Sequence, residues 1–477
     1  MNKNVLLLLL GTTVGLAGCS LAPRYERPGS PVAAQWPNGA AYPDTGRAAD
    51  AAQAPDLPWR QFFPDPNLQS LIEMALANNR DLRSAALNVE QARALYGIQR
   101  GQLLPTVDAM AGGSKQSVPA DLSYTGERAT SRQYSVDLGV VAWELDFFGR
   151  IRSLSAAALQ QYLATGQARR SVQILLVSSV ANTAMVLAAD RENLGLAETT
   201  LANQQEAYKL VKRNTDLGLA PLLDLYRAQT QVDVAKGDAA RFRQIVAQDE
   251  NALNLLLGSE APVQWLAARL ADLTPPAEIS AATPSEVLLR RPDVLAAENQ
   301  LRAAYANMGA ARASLFPRIS LTATAGTASS ELSGLFKSDS GAWSFAPQAA
   351  MPIFDTRAWQ ALKVTKVQRE IAVAQYEKAI QNSFREVADA LAVSGTVDAQ
   401  VAAQQSLVGA LAETYRLSLS RYDKGIDSYL SVLDAQRSLY AAQQGLTYLR
   451  LEKLTSQVRL YAALGGGGDG SNAEGSH

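Results

Sequence analysis

The sequence predicts a mainly α-helical chain that also contributes four β-strands to a membrane. Two long windows, 120–220 and 353–477, contain no proline and are rich in residues that favour helices. Four short segments alternate apolar and polar residues with a period of two, which is typical of strands. The chain also matches itself in two halves, which indicates one structural unit used twice.

The first residues have the layout of a bacterial secretory signal. Lys3 precedes an apolar run from Val5 to Leu16, and residues 16–19 read Leu-Ala-Gly-Cys, the pattern of a lipobox. We therefore expect a signal peptide at 1–18 and a lipid on Cys19, made of a thioether-linked diacylglycerol and an N-acyl chain. Ser20 follows, rather than the Asp that favours inner-membrane retention. A plain signal peptide with a chance cysteine is the alternative.

The composition excludes two classes of protein. Cys19 is the only cysteine, so a disulfide framework is impossible and stability must come from packing and assembly. The net charge is -1, which provides no large basic surface for phosphate groups. We expect no nucleic-acid partner and no cofactor besides the covalent lipid.

The repeat is visible as two gapless matches. At an offset of 212 positions, identical residues run from Asp81 with Asp293 to Pro105 with Pro317. At an offset of 207, they run from Phe147 with Phe354 to Gly258 with Gly465. The resulting divisions are a signal peptide at 1–18, a lipidated irregular segment at 19–66, a first repeat at 67–258, a proline-rich connector at 259–283, a second repeat at 284–465 and a disordered tail at 466–477.

Each repeat should contain one helix of unusual length. The patterns run from about Phe148 to Asn214 and from about Trp359 to Tyr422, or roughly 100 Å each at 1.5 Å per residue. In the second helix, apolar residues at spacings of three and four predict a buried face: Tyr376, Ile380, Phe384, Val387 and Leu391. Turns at Gly218 and Gly425 should fold each long helix back into a hairpin.

One uncharged stretch, 171–189, has the length of a membrane helix. Its counterpart in the second repeat, 378–396, contains Lys378, Arg385, Glu386 and Asp389. Because the two repeats should share a fold, a buried helix face is the preferred interpretation.

Four segments predict strands: Val107–Ala111, Tyr134–Ala142, Ile319–Ala325 and Trp343–Met351. Their lengths approach those of tilted strands that cross a bilayer, although soluble hairpins are the alternative. In the second segment, Ser135 and Asp137 alternate with apolar residues and should face water. Four strands cannot close a barrel, and open edges are not tolerated in hydrocarbon, so several chains must share one barrel. Two chains supply eight strands and three supply twelve; the high helix content favours a homotrimer.

The chain resembles the TolC-like outer-membrane efflux factors, in particular the OprM-type lipoprotein branch. The resemblance covers nearly all of the mature chain and is carried by these segments: Pro23–Pro28, Arg291–Val294, Phe316–Ile319, Pro352–Asp355, Arg421–Tyr422 with Gly425, and Leu433–Ser438. It implies a homotrimer with a twelve-stranded barrel in the outer membrane, a helical barrel across the periplasm, and a belt of connectors around its middle. It also implies a periplasmic adaptor protein and an inner-membrane transporter of the resistance-nodulation-division class as partners.

The resemblance further implies a periplasmic gate just beyond the second turn. Leu430, Asp434 and Arg437 share one helical face, and three copies of each would form a ring that closes the duct. The first-repeat counterparts are Leu223, Arg227 and Thr230, which include no acid. An exposed ion pair of little energetic value is the alternative.

The two turns are the expected adaptor contacts. They comprise Leu217, Gly218 and Leu219 in the first repeat, and Lys424, Gly425 and Ile426 in the second. Each glycine permits a tight turn that exposes its apolar neighbours. Ordinary solvated turns are the alternative.

Catalysis is not expected. The sole histidine, His477, lies in the tail, so Ser-His, Cys-His and His-based metal sites have no histidine to use. The function that the resemblance implies is a passive exit duct for drugs and other small toxic molecules. Ducts for protein or metal-ion export, and a periplasmic spacer without a pore, are the alternatives.

Overall fold

The computed structural model describes residues 20–42, 57–279 and 284–467. The signal peptide, Cys19, His477 and the tail beyond residue 467 lie outside these residues. Eight α-helices and four β-strands form within the described part: α1 Trp59–Phe62, α2 Pro66–Asn78, α3 Arg80–Gly101, β1 Val107–Val118, β2 Ala129–Leu145, α4 Arg150–Asp216, α5 Leu222–Leu257, α6 Pro292–Ala313, β3 Arg318–Ser329, β4 Gly341–Ala350, α7 Thr356–Asp423 and α8 Tyr429–Ala463.

The order of elements repeats once along the chain. A 22-residue helix, two strands, a very long helix and a shorter helix follow one another as α3-β1-β2-α4-α5 and again as α6-β3-β4-α7-α8. The long helices α4 and α7 have 67 and 68 residues. Their bounds differ from the predicted ones by one to three residues.

Both hairpin turns use the same hydrogen-bonded motif. Gly218 and Gly425 have a φ of 72°, which disfavours residues with a Cβ atom. After each glycine, a backbone N–H donates back into the last helical turn, from Leu219 to Asn214 at 2.8 Å and from Ile426 to Arg421 at 2.9 Å. This Schellman pattern satisfies carbonyl groups that would otherwise lack partners, and it ends both long helices at equivalent positions.

The four strands form one antiparallel sheet in the order β1-β2-β3-β4. Strands β1, β2 and β3 are longer than the predicted segments, and β4 ends at Ala350, before the predicted Met351. The second half of β1 is Gly113–Val118. The predicted alternation through Ala142 is wrong at its end. Ala142 has a φ of 53°, and the register with β3 shifts between Val140 and Trp143, so a β-bulge interrupts the alternation there.

The chain divides into two compact units. One comprises the described residues up to Gly29 together with 88–166 and 296–376, and it contains the sheet. The other comprises the remaining described residues. The main apolar core lies in this second unit, where the Tyr461 ring stacks on Phe62 at 3.9 Å between centroids and Trp59 and Leu257 are fully buried.

The uncharged stretch 171–189 packs largely inside the second unit. Val177, Val180, Ala181, Met185 and Ala188 belong to its core. Among the described helices, only α4 contains a stretch long and apolar enough to cross a membrane, and 56% of that stretch is buried inside the protein. This burial supports the interpretation of the stretch as a core helix face.

Candidate functional site: hairpin tips, gate positions and sheet

The two tips have different surfaces, although their backbones match. All six residues predicted as adaptor contacts lie on the turns and are largely exposed. The first tip exposes the apolar side chains of Leu217, Leu219 and Leu222. At the second tip, Arg421 Nη2 donates to Asp427 Oδ1 at 3.2 Å, a pair that Asn214 and Ala220 cannot form at the corresponding first-repeat positions. The first turn therefore has an apolar surface, and the second is stabilised by an ion pair.

Directly beyond the turns, the two hairpins pack against each other. Val211 and Ala228 of the first hairpin meet Tyr429, Val432 and Leu433 of the second in one buried cluster. Burial raises the pKa of Tyr429 to about 12, so its phenol stays neutral at any physiological pH. This cluster fixes which face of α8 points away from the first hairpin.

The predicted gate residues lie outside that cluster. Leu430, Asp434 and Arg437 are exposed on α8, while Tyr429, Val432 and Leu433 are buried. Asp434 and Arg437 form an ion pair three residues apart. The three side chains are accessible to another surface, and the ion pair is already formed within one chain.

The first hairpin contains a similar ion pair, which the sequence reasoning missed. The predicted gate counterparts Leu223, Arg227 and Thr230 include no acid, but Arg227 Nη1 lies 3.5 Å from Asp224 Oδ1 in the preceding helical turn. Thr230 Oγ1 donates to the Arg227 carbonyl at 2.7 Å and so serves its own helix. The shared spacing Asp-x-x-Arg was visible in both hairpins and could have indicated Asp224.

The sheet has one apolar face and one polar face. Cross-strand partners on the apolar face include Val107 with Val140, Leu138 with Ala325 and Ala325 with Trp343. Trp343 is 80% exposed, and Val107, Leu138 and Phe345 on the same face are also exposed. Ser135 and Asp137 lie on the opposite face, where Thr324 and Ser344 share a hydroxyl hydrogen bond of 2.7 Å. An exposed apolar sheet face of this kind fits a lipid environment.

The family model for outer membrane efflux proteins matches residues 71–259 and again residues 283–466, which together are most of the chain. The chain belongs to the outer membrane efflux protein family.

Curated relatives agree with this membership. The chain is 50% identical over 468 residues to the "Probable efflux pump outer membrane protein TtgC" of Pseudomonas putida, covering 98% of this chain and 96% of the relative. It is 42% identical over 465 residues to the "Outer membrane protein OprJ" of Pseudomonas aeruginosa, covering 97% and 95%. The protein is thus an outer-membrane component of an efflux pump.

Solved structures show the same fold. A membrane protein of Pseudomonas aeruginosa matches with a TM-score of 0.88 and 39% identity over 96% of this chain and 100% of its own. The MtrE outer membrane channel of Neisseria gonorrhoeae, in its open state, matches with a TM-score of 0.83 and 37% identity over 94% and 98%. A mainly helical chain with four strands is therefore confirmed. The family role is transport, which is not normally enzymatic.

This efflux protein also has a charged cluster that the sequence reasoning did not find. In the first unit, the Glu298 carboxylate on α6 accepts hydrogen bonds from Tyr25 OH at 2.9 Å, Arg27 Nη2 at 2.8 Å and Arg302 Nη2 at 2.7 Å. Burial opposes ionisation of Glu298, but the bonds from Arg302, Arg27 and Tyr25 hold its pKa below the usual range. The cluster fastens the segment that follows Cys19 to α6.

A glycine allows this segment to lie close to the helix. A Cβ atom at Gly309 would stand 2.7 Å from Ala22, and Arg312 Nη1 donates to the Leu21 carbonyl at 3.2 Å. Residues 20–29 therefore follow α6 through both backbone and side-chain contacts. No sequence periodicity signals this attachment, because its partners are more than 270 positions apart.

Proposed function

We propose that this chain forms the homotrimeric exit duct of a tripartite pump that expels drugs and other small toxic molecules. The observation that carries the proposal is the sheet, whose apolar face is exposed and whose outer strands β1 and β4 each pair on one side only within the described sheet. Backbone groups on such edges need partners in a membrane. Pairing β4 of one copy with β1 of the next closes twelve strands with three chains.

The partners follow from the role as a pump component. A periplasmic adaptor would contact the tips, with the apolar Leu217 and Leu219 turn as one half of the contact and the charged Lys424 turn as the other. An inner-membrane transporter of the resistance-nodulation-division class would supply the energy. Small-molecule cargo is supported by relatives named as antibiotic and toluene efflux pump proteins of Pseudomonas putida, each 50% identical to this chain.

The gate would lie at Leu430, Asp434 and Arg437, with Leu223, Arg227 and Thr230 nearby on the first hairpin. In a trimer, three copies of the Asp434–Arg437 pair could exchange partners between chains, and Leu430 would narrow the opening. An exposed ion pair within one helix contributes little, whereas the same charges would attract each other more strongly where neighbouring chains exclude water from them. Sharing the pairs between chains is what would hold the gate shut.

The lipid on Cys19 would hold the amino terminus at the inner leaflet of the outer membrane. Its support is the lipobox and the attachment of residues 20–29 to α6, which keeps the chain near Cys19 in a defined place. Covalent lipid would then act together with the strands to hold the protein in the membrane.

The first experiment measures accumulation of a fluorescent hydrophobic dye in cells that lack the protein and in cells complemented with it. Lower accumulation after complementation is expected. Equal accumulation, with expression verified, would contradict small-molecule efflux and favour protein or metal-ion export.

The gate is tested in the same cells with a large hydrophilic antibiotic that the intact outer membrane excludes. The double variant Asp434→Ala with Arg437→Ala should increase its entry. Glu413→Ala with Arg416→Ala is the matched control, because this pair on α7 has the same spacing and similar side-chain exposure, 55% and 64% against 57% and 61%. Equal entry in the two double variants would refute the gate assignment.

A further inference from the structure

In each repeat, a polar side chain at the start of the repeat contacts the carboxyl end of that repeat's own helical hairpin. In the first, Asn79 Nδ2 donates to the carbonyl of Leu256, in the last turn of α5, at 2.9 Å. In the second, Arg291 Nη1 donates to the carbonyl of Ala463, the last residue of α8, at 2.5 Å. Asn79 and Arg291 are equivalent at the offset of 212, and Leu256 and Ala463 at the offset of 207. The same junction therefore uses an amide once and a guanidinium once.

The guanidinium is the stronger partner for a helix end. The last carbonyl groups of a helix lack partners within it, and the helix dipole places partial negative charge there. A cation is attracted to that charge, whereas an amide offers only a neutral hydrogen bond. The second junction is therefore held more firmly than the first.

Besides the Ala463 carbonyl, Arg291 binds two carboxylates. Its Nη2 atom lies 2.8 Å from Asp293 Oδ2, in the first turn of α6, and 2.9 Å from Glu386 Oε2 on α7. The Arg291 side chain is only 10% exposed, and one guanidinium connects α6, α7 and α8. Burial opposes its charge, but the bonds to Asp293 and Glu386 raise the pKa of Arg291 overall.

The first junction has no equivalent of this third connection. Asn79 donates to the Leu256 carbonyl and accepts from the backbone N–H of Leu82 at 2.9 Å, in the first turn of the adjacent helix α3. The position equivalent to Glu386 at the offset of 207 is Ser179, which carries no charge. At the repeat junctions, the α7–α8 hairpin is thus held by the charged Arg291, and the α4–α5 hairpin by the neutral amide of Asn79.

A cavity of about 670 Å³ lies beside Arg291. Its walls include Ser171 and Leu175 of α4, Glu386 and Val393 of α7 and Arg459 of α8. Arg291, Asp293 and Glu386 all line this space, so the ion pairs that connect α6 with α7 form at its wall.

We propose that Arg291 is an electrostatic latch that restrains movement of the α7–α8 hairpin, and that the latch must release for this hairpin to open the duct. Arg291 lies on the repeat junction and not at the tip, so it acts on the gate only by holding the α7–α8 hairpin in position. The proposal rests on the gate assignment at Asp434 and Arg437, which are carried by the latched hairpin. It predicts that the two hairpins of one chain open with different ease.

The test measures the open probability of the purified protein in planar bilayers. Arg291→Asn gives the second junction the residue of the first, and it should raise the open probability about five-fold or more. Glu386→Gln keeps the bonds of Arg291 to Ala463 and Asp293 but weakens the connection to α7, so it should act in the same direction. The double variant should exceed neither single variant substantially, because both break one latch.

The controls separate this inference from general destabilisation. Arg291→Lys retains the charge and should restore part of the restraint. Asn79→Ala removes the equivalent bond of the first junction and should leave the open probability unchanged. If the wild-type protein forms no channel, the proposed function fails. If it conducts and Glu386→Gln behaves as wild type, or if Asn79→Ala opens the channel as readily as Arg291→Asn, the latch is refuted.

Discussion

Replacement of Glu298 by Gln should detach the amino-terminal segment from α6. The carboxylate is 3% exposed and accepts bonds from Tyr25, Arg27 and Arg302. Glutamine has almost the same shape but no charge, and its NH₂ group would face donors. The expected effect is therefore a loss of electrostatic attachment without a cavity.

The magnitude follows from burial on each side of the cluster. Breaking a buried ion pair costs about 3–5 kcal/mol, and a hydrogen bond to a charged group contributes about 1.5–3 kcal/mol. Arg27 and Arg302 are both partly exposed, so water can replace some of the hydrogen bonds that their guanidinium groups lose when Glu298 is replaced. We expect Glu298→Gln to weaken the attachment of the segment by roughly 2–4 kcal/mol, which increases the detached fraction about 30-fold or more.

Limited trypsin digestion measures this opening directly. Trypsin cuts after Arg24, whereas Pro28 protects the bond after Arg27. The rate of cleavage at Arg24, followed by mass spectrometry on the folded protein, should rise in Glu298→Gln. Tyr25→Phe removes one bond and should give a smaller increase. Glu73→Gln, which changes an exposed carboxylate paired with Arg60, is the control. Equal cleavage rates in wild type and Glu298→Gln would refute the reasoning.

Two further substitutions test other parts of the structure. Burial and the neighbouring carboxylate of Asp190 raise the pKa of Asp249 to about 6, so its ionisation at higher pH costs folding free energy. The folding free energy that depends on a neutral Asp249 is present at low pH and is lost as the pH rises through about 6. Asp249→Asn should therefore raise the thermal midpoint at about pH 8, by an amount that corresponds to roughly 1–2 kcal/mol of unfolding free energy. The difference between variant and wild type should vanish near pH 4. A constant difference across that range would contradict the assignment. Gly425→Ala places a Cβ atom at a φ of 72° and should cost about 1–2 kcal/mol, measured by thermal unfolding against Gly409→Ala, a mid-helix position with open space around it. If Gly425→Ala leaves the thermal midpoint unchanged, the turn adapts to the added Cβ atom and the predicted cost is wrong.

The internal repeat explains why so much of the fold was predictable. Residues 80–101 and 292–313 form helices at the same offset of 212 that the sequence match shows. The glycines at 218 and 425 mark turns because only a positive φ is compatible with the motif there. These are local signals, repeated twice, and each copy supports the interpretation of the other.

The missed features depend on contacts that local patterns do not encode. Strand β1 continues through Gly113–Val118, where polar residues gain their strand geometry from pairing with β2. Glu298 resembles an ordinary helix-surface residue, and nothing local to Arg291 indicates its bond to the end of α8, until distant segments lie beside them. Asp224 is different, because its spacing of three residues to Arg227 is a local pattern that the sequence itself contains.

The two open strand edges have a consequence for assembly. A single chain exposes unpaired backbone groups on β1 and β4 beside an apolar face, and such edges favour aggregation in solution. In the proposed homotrimer, closure of the barrel would need three chains to meet before these edges pair with other partners. A lipid tether on Cys19 would confine the chains to a surface and raise their effective concentration, because a search in two dimensions replaces one in three. The amino-terminal segment fastened by Glu298 would then matter most before the barrel exists, as an aid to finding the other two copies.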